Sequence, residues 1–477
     1  MRFNYFEFWY GTRVAAGDHL GVSKHANIPY REGRWDGQDE RPGNSNRSGR
    51  WEAAFGGRED PEQSGANLNT ADTMRTPLFW AAENGHGEVV RALLERSDVD
   101  PDAADEYGQT PLCVAAQNGH EGVVRILVEQ NGVNPNQGDG RGRTPVSWAA
   151  GNGQEGVVRI LLGRRDVNPN TTDDGFSLTP LAWAARNGHE GVVRILLERN
   201  DVHPERPAKH GPRPLSLAAA RGHEGVVRML LERSDVNPSA AGEGGQTPLS
   251  LAAKYGKEGV VRILLGRSDV NPNAGDTLFS QIPLSLAARN GHEGVVKILL
   301  DRNDVNPDKV DKYGWTPLSM AARDGREGVV KILLERNDVN PERATKHGQT
   351  PLSLAAVAGQ EGVVRILLER SEVNPNAADI TGRTPLSWAA EYGHQGVLRI
   401  LLERNDVNLD TTDRYGQTAA SWAAKKGHDG IANFLRDRAD FTLRYAASLQ
   451  PTDPCSPELS EPSEPLPEGF AGFNAQW

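Results

Sequence analysis

Residues 105–135 read DEYGQTPLCVAAQNGHEGVVRILVEQNGVNP, and this one stretch contains the signals that decide the fold. Its first four residues, DEYG, have the composition of a tight turn. Thr110 then suits a helix N-cap, and Pro111 suits the first helical position, where its missing N–H costs nothing. The stretch therefore predicts a short helix that begins at Pro111 and ends before Gly119.

A second helix is predicted from about Glu121 to Gln130, because Val and Leu residues recur there on one broad face. The segment Val133-Asn134-Pro135 then leads out in an extended conformation, since the residue before proline is pushed away from the helical region. Neither helix can bury its apolar face within one unit of this length. Each unit must therefore stack on its neighbours.

The same unit recurs along the chain with an almost constant period. The spacing between successive markers is 34 or 35 residues, and eleven copies cover about residues 67–438. The markers are the prolines of the Thr-Pro step, with Ala419 in the eleventh place: Pro77, Pro111, Pro145, Pro180, Pro214, Pro248, Pro283, Pro317, Pro351 and Pro385.

The pattern resembles the ankyrin repeat. It combines Asp-x-x-Gly-x-Thr-Pro-Leu with Ala-Ala-x-x-Gly-His and Val-Val-Arg-Ile-Leu-Leu, in phase over more than three quarters of the chain. The resemblance implies an all-α ankyrin-repeat solenoid of about eleven helix-turn-helix repeats with finger loops. It also implies a non-enzymatic scaffold or adaptor, without a cofactor, that binds other proteins through its concave face and finger loops.

Two departures from the family pattern affect helix capping. The position that follows Thr-Pro-Leu holds Ser in most copies, where the family has His, so any hydrogen bond of that His must be made by Ser or lost. Repeats five and seven place Arg213 and Ile282 before the proline instead of Thr. Loss of a Thr cap costs about 1 kcal/mol, so these two repeats are predicted to be the weakest internal joints.

The flanking segments have a different composition. Residues 1–66 are rich in Gly, Arg, Asn and Asp, and residues 439–477 form an acidic tail that contains PTDPCSPELSEPSEPLPE. Both are expected to be disordered. Residues 51–55 could alternatively form a degenerate helix that covers repeat one, and Ser456-Pro457 is a candidate phosphorylation site.

Charge and composition exclude several classes of function. The net charge is −11, of which −5 lies in the tail and −5 is spread over residues 67–438. Strong nucleic-acid binding needs a one-sided excess of Lys and Arg, which is missing, and no apolar run is long enough to span a membrane. Two cysteines 342 residues apart are no disulfide framework, so we expect a cytoplasmic, or alternatively nuclear, monomer.

Three residue types recur at fixed positions of the repeat, and each has a structural interpretation. The His of the Gly-His step is not expected to bind metal, because neighbouring repeats lie about 8–10 Å apart whereas zinc ligands lie about 2 Å from the ion. The basic residues of the second helices mostly follow a Glu four positions earlier, which predicts a self-neutralised outer face. A slot shared by Trp, Leu, Val and Met is predicted to lie in the core: Trp80, Trp148, Trp183, Trp388 and Trp422.

No catalytic motif or metal-ligand spacing occurs, so no catalytic residue and no metal site are predicted. The finger tips vary against a nearly constant framework, and aromatic residues that the framework does not need concentrate in repeats six to eight. We therefore expect a partner-binding hot spot at Tyr255, Leu278, Phe279, Tyr313 and Trp315. The alternative is that the finger loops pack on each other, with Trp315 covering its neighbour's tip.

Two other functions remain open at this stage. The chain could be the recognition part of a larger signalling or enzymatic protein whose upstream module is missing, since an aromatic start at Met1 is followed by degenerate sequence. An adaptor for nucleic acid or for a membrane surface is disfavoured by the near neutrality of the repeats.

Overall fold

A computed structural model describes residues 75–205 and 212–448, with the side chains of residues 243 and 441–448 excluded. Within these ranges the chain forms 22 α-helices and one short 3₁₀ turn, and no strand. The helices alternate between the first and the second helix of each repeat. The predicted all-α class and the repeated helix-turn-helix unit are therefore confirmed.

The helices are numbered in chain order. The first helices of repeats one to eleven are α1 (Pro77–Glu83), α3 (Pro111–Asn118), α5 (Pro145–Gly151), α7 (Pro180–Asn187), α9 (Pro214–Arg221), α11 (Pro248–Lys254), α13 (Pro283–Asn290), α15 (Pro317–Arg323), α17 (Pro351–Val357), α19 (Pro385–Tyr392) and α21 (Ala419–Lys425). The second helices are α2 (Gly87–Leu94), α4 (Glu121–Glu129), α6 (Glu155–Leu162), α8 (Glu190–Leu197), α10 (Glu224–Leu231), α12 (Glu258–Leu265), α14 (Glu293–Leu300), α16 (Glu327–Leu334), α18 (Glu361–Leu368), α20 (Gln395–Leu402) and α22 (Asp429–Ser448).

The Thr before each first helix acts as its N-cap. In repeat two, Thr110 Oγ1 accepts a hydrogen bond from the backbone N–H of Cys113 at 3.2 Å. The same bond forms in nine of the eleven repeats and is absent at Arg213 and Ile282. Repeats five and seven therefore lack the cap, as their sequences predicted.

The Ser that replaces the family's His completes this cap. In repeat eight, Ser319 Oγ accepts from the backbone N–H of Thr316 at 2.8 Å and donates to the Thr316 carbonyl at 2.9 Å. In repeat five the equivalent Ser216 is buried, and its hydroxyl has no hydrogen-bond partner in the described part of the chain. The serine of repeat eight thus stabilises the helix start together with Thr316, whereas the serine of repeat five makes no such bond among the described residues.

One continuous core runs through the stacked repeats. First helices pack against the first helices of the adjacent repeats, and second helices pack against second helices. Ala115 and Val124 are fully buried between neighbours, as are their counterparts in the other copies. Burial of apolar surface is therefore shared between repeats, so one repeat depends on the next for its stability.

Polar contacts tie each repeat to the one before it. His120 Nε2 donates to the Glu83 carbonyl at 2.9 Å, and the recurrent His makes the equivalent bond in four other repeats. After the second helix, Arg199 reaches the Leu162 carbonyl at 2.6 Å while it also pairs with Asp201 at 2.6 Å. The recurrent His thus satisfies a helix C-terminus of the neighbouring repeat.

The outer face differs from its prediction. In the part of the chain that the structure describes, two of the expected Glu–Arg pairs four residues apart lie within 4 Å, namely Glu224 with Arg228 at 3.6 Å and Glu258 with Arg262 at 3.4 Å. Instead, the Glu carboxylate leans over the glycine of the next second helix, so that a Cβ on Gly259 would lie 1.7 Å from Glu224 Oε1. The Glu-Gly pairs therefore form a packing contact between repeats.

The last helix is longer than the other second helices. It has 20 residues and continues ten residues beyond position 438, where the sequence placed the end of the array. The exposed Arg436 replaces an apolar residue of the inner copies and bonds Asn433, which gives the final repeat a polar outer face. None of the helices in the described part of the chain is long and apolar enough to cross a membrane.

Candidate functional site

Seven of the finger loops in the described part of the chain are tight turns held by the carboxylate of their first residue. In repeat eight, Asp311 Oδ1 accepts from the backbone N–H groups of Tyr313 at 2.8 Å and Trp315 at 2.9 Å. The turn closes through Gly314, whose φ of 83° is readily adopted only by glycine. Burial raises the pKa of Asp311 above its usual range, although both backbone donors favour the charged form.

Neighbouring fingers are joined by backbone hydrogen bonds. Lys312 N–H donates to the Phe279 carbonyl at 2.9 Å, and Lys346 N–H donates to the Tyr313 carbonyl at 2.9 Å. Equivalent bonds link repeats two to three, three to four, six to seven, nine to ten and ten to eleven. The finger tips are therefore held in fixed positions relative to each other.

The structure brings four of the five predicted site residues together on the fingers of repeats seven and eight. The rings of Phe279 and Tyr313 lie 6.3 Å apart, and Leu278 and Trp315 belong to the same two fingers. Leu278 and Tyr313 are 57% and 40% exposed, whereas Phe279 and Trp315 are half-buried. Tyr255 is also exposed, but it follows the C-terminal end of α11, away from the finger that precedes that helix.

Two basic residues belong to this cluster and were missed by the sequence analysis. Lys312 Nζ lies 4.6 Å from the centre of the Phe279 ring and bonds the Leu278 carbonyl. The guanidinium of Arg323 lies 4.9 Å from the centre of the Trp315 ring. The alternation of basic and aromatic residues in these repeats was the available signal, because cations stack readily on aromatic faces.

Exposed apolar residues also occur on other fingers. Tyr107 is 63% exposed and Tyr415 is 73% exposed, which is more than any residue of the predicted hot spot. Phe176 and Ile380 are exposed as well. An apolar tip is therefore a recurrent property of the fingers, and repeats seven and eight differ in carrying several such residues side by side.

The tryptophans of the shared slot connect the first helix to its own finger. Trp183 Nε1–H donates to the carboxylate of Asp173 at 2.9 Å, and the Trp148, Trp388 and Trp422 indoles make the same bond to their finger aspartates. Trp388 and Trp422 are buried, whereas the other three tryptophans of this slot are half-buried. The sequence predicted a core position for this slot, but the slot is also a contact between the first helix and its finger.

Repeats ten and eleven contain a compact charged cluster. Arg383 pairs with Glu391 at 2.5 Å and lies 3.7 Å over the Trp422 ring. Lys426 reaches the other Glu391 oxygen at 3.3 Å, and Asp413 lies 3.7 Å from Arg383. The charges of this region therefore compensate each other.

Cys113 is fully buried, and burial raises the pKa of its thiol to about 11. The described ranges contain no group of three or more His, Cys, Asp or Glu side chains arranged to hold a metal ion. What these residues present is a row of rigid loops and helix ends.

The comparisons with known proteins agree with this architecture. A family model described as "Ankyrin repeats (3 copies)" matches residues 60–139, 131–207, 200–276, 284–379 and 371–445. The search of curated proteins finds no match.

Proposed function

The chain belongs to the ankyrin repeat family, and we propose that it is a non-enzymatic scaffold or adaptor that binds a partner protein through its finger loops and first helices. Ankyrin repeats generally mediate protein–protein interactions. The observation that carries the proposal is the cluster of Leu278, Phe279 and Tyr313 on two hydrogen-bonded fingers. We call these three residues, together with Trp315, the finger cluster.

The finger cluster has the properties of an interface anchor. Exposed apolar side chains on ordered loops lose little conformational entropy when they bind, so more of the contact energy contributes to affinity. Lys312 lies over the Phe279 and Tyr313 rings and adds a cation beside the apolar surface. This combination suits a partner that offers an apolar side chain flanked by a carboxylate.

Within the cluster, exposure separates binding residues from supporting ones. Leu278 and Tyr313 are exposed and available for contact. Trp315 is half-buried beneath Arg323 and donates its backbone N–H to Asp311, so it supports the turn. We therefore assign partner contact to Leu278 and Tyr313, and support of the finger to Trp315.

The test compares two fingers of the same chain. Leu278→Ala together with Tyr313→Ala should reduce crosslinked capture of partner from the native host, as measured by quantitative mass spectrometry. Tyr415→Ala is the control, since Tyr415 is the more exposed tyrosine and lies on another finger. The melting temperature of both variants should stay close to that of the unmodified chain.

Equal loss of capture in the control and in the double variant would contradict the assignment to repeats seven and eight. Loss of capture that accompanies a lowered melting temperature would favour the alternative, in which the fingers only pack on each other. The second candidate, a recognition part of a larger enzymatic or signalling protein, is compatible with the same surface. A reading frame that continues upstream of Met1 would favour it.

A further inference from the structure

The first helices of repeats four to eight carry a row of basic residues that the overall charge conceals. Each basic residue lies at the C-terminal end of its helix, within two positions of the glycine that follows. In repeats four to eight, the two positions before this glycine hold five bases and one acid, Asp324. The same two positions of repeats one to three hold no base. We call Arg186, Arg221, Lys254, Arg289 and Arg323 the basic row.

Contacts between repeats place successive members of the basic row side by side. The Arg186 carbonyl accepts from His223 of the next repeat at 3.0 Å, and the Lys254 carbonyl accepts from His292 at 2.9 Å. Arg289 Nε lies 3.4 Å from the carboxylate of Asp324 in the following repeat. Arg323 pairs with the same carboxylate at 2.7 Å, so the row sets five bases against one acid, with a repeat spacing of about 8–10 Å set by helix packing.

Aromatic rings hold several of these cations in position. Arg186 lies 5.3 Å from the centre of the Trp183 ring, and Lys254 Nζ lies 5.0 Å from the centre of the Tyr255 ring. A ring fixes the cation without neutralising its charge, unlike a carboxylate. The helix dipole alone does not explain the row, because the first helices of repeats one to three end without a cation.

The tail of the same chain has a complementary charge pattern. Glu458, Glu461 and Glu464 occur at every third position in PELSEPSEPLPE, residues 457–468, where prolines favour the polyproline II conformation. That conformation has three residues per turn and advances about 9.3 Å per turn, so these three carboxylates would lie on one side. Residues 457–468 lie outside the described residues.

We propose that residues 457–468 bind along the basic row of the same molecule as an extended segment, with one carboxylate for each repeat. The match between about 9.3 Å per turn and a repeat spacing of about 8–10 Å lets consecutive glutamates meet consecutive cations. The bound tail would cover the surface beside Tyr255. It would therefore compete with an acidic partner for the first helices, which goes beyond the proposed scaffold function.

The chain is long enough for this contact. Glu461 is 13 residues beyond Ser448, the last residue of α22, and an extended chain of that length spans up to about 45 Å. Three repeat spacings, from repeat eleven back to repeat eight, amount to about 30 Å. The part of the extended span that is left over allows for the width of a repeat, so Glu461 can reach repeat eight. Glu464 then meets Arg289 or Lys254.

The two cysteines allow a direct measurement in the full-length protein. Cys113 is fully buried with a pKa raised to about 11, so a maleimide fluorophore at neutral pH should label Cys455, three residues before Glu458. Fluorescence anisotropy then reports whether the tail is held. At about 1 M NaCl, where the Debye length is about 3 Å, the anisotropy should fall to the level of a released tail.

Three variants identify the contact. Lys254→Gln with Arg289→Gln should lower the low-salt anisotropy to the high-salt level, and so should Glu458→Gln with Glu461→Gln and Glu464→Gln. The matched control, Arg125→Gln with Arg159→Gln, removes the same charge from exposed positions of α4 and α6 and should change nothing. Carbodiimide crosslinking should link tail glutamates to Lys254 rather than to Lys297 or Lys331 of the second helices.

Equal anisotropy in the basic-row variant and in the matched control would overturn the proposal, as would crosslinks that avoid Lys254. Anisotropy that rises with protein concentration would show binding between molecules and would overturn the contact within one molecule. The finger-cluster variant is measured in parallel. If it loses partner capture while the tail contact is absent, only the tail proposal fails, and the opposite result removes only the scaffold assignment.

Discussion

Repeat six and repeat ten use charge at the same place in the fold in opposite ways. In repeat ten the second-last residue of the first helix is Glu391, which is buried and contacts both Arg383 and Lys426. In repeat six the equivalent position is Lys254, half-buried against the Tyr255 ring. The same position of the repeat can therefore form a buried ion pair or present a positive charge at the surface, depending on the residue that occupies it.

The largest expected effect comes from removing the buried ion pair between Glu391 and Arg383. Glu391→Ala should destabilise repeats ten and eleven by about 3 kcal/mol, because it leaves Arg383 buried without its closest carboxylate. Lys254→Ala, at the equivalent position of repeat six, should cost well under 1 kcal/mol. Hydrogen exchange of α19 and α11 measures each effect locally, which suits a repeat array that need not unfold in two states.

Similar losses of stability in Glu391→Ala and Lys254→Ala would refute the distinction between a buried ion pair in repeat ten and a surface charge in repeat six. Arg383→Ala offers a second check. Its removal should also destabilise α19, since Glu391 would then remain buried with Lys426 as its remaining ionic partner among the described residues.

A second prediction applies the same comparison to helix starts. Ser319→Ala removes two hydrogen bonds with Thr316 and should cost about 1 kcal/mol. Ser216→Ala, at the same position of repeat five, removes a buried hydroxyl that has no partner among the described residues. This change should be neutral or slightly stabilising, as measured by the midpoint of urea unfolding, and a loss equal to that of Ser319→Ala would contradict the capping argument.

The smallest expected effect concerns the outer face. Gly122→Ala should stabilise α4 by about 0.5–1 kcal/mol, because no atom lies within 4 Å of the added Cβ and alanine favours the helix. Gly259→Ala should gain less, since Glu224 must move away from the added methyl group. Thermal melting of the two variants side by side measures the difference, and an equal gain would show that the Glu-Gly contact is energetically neutral.

The repeat architecture could be predicted from sequence because its signals are local. Thr-Pro marks the start of each first helix and Gly marks its end, so the helix of repeat two was placed at residues 111–118 as observed. The uncapped starts at Arg213 and Ile282 were also visible, since capping depends on one residue.

The contacts between repeats could not be predicted in the same way. Glu121 looked like a partner for Arg125, four residues away, yet its carboxylate leans over Gly156 of the next repeat. Spacing along one helix describes neighbours on that helix only, whereas the stacking geometry decides which distant residue is closer.

The ties between repeats nearly always connect one fixed position of the repeat to another fixed position of the adjacent copy, 30 to 38 residues away, as in the bonds from Asn170 to Asp201 and from Arg199 to Leu162. Excision or duplication of a whole 34-residue unit would therefore rejoin equivalent partners. A gene encoding such an array can change its copy number by recombination between the copies, and its product would gain or lose binding length without having to acquire a new fold.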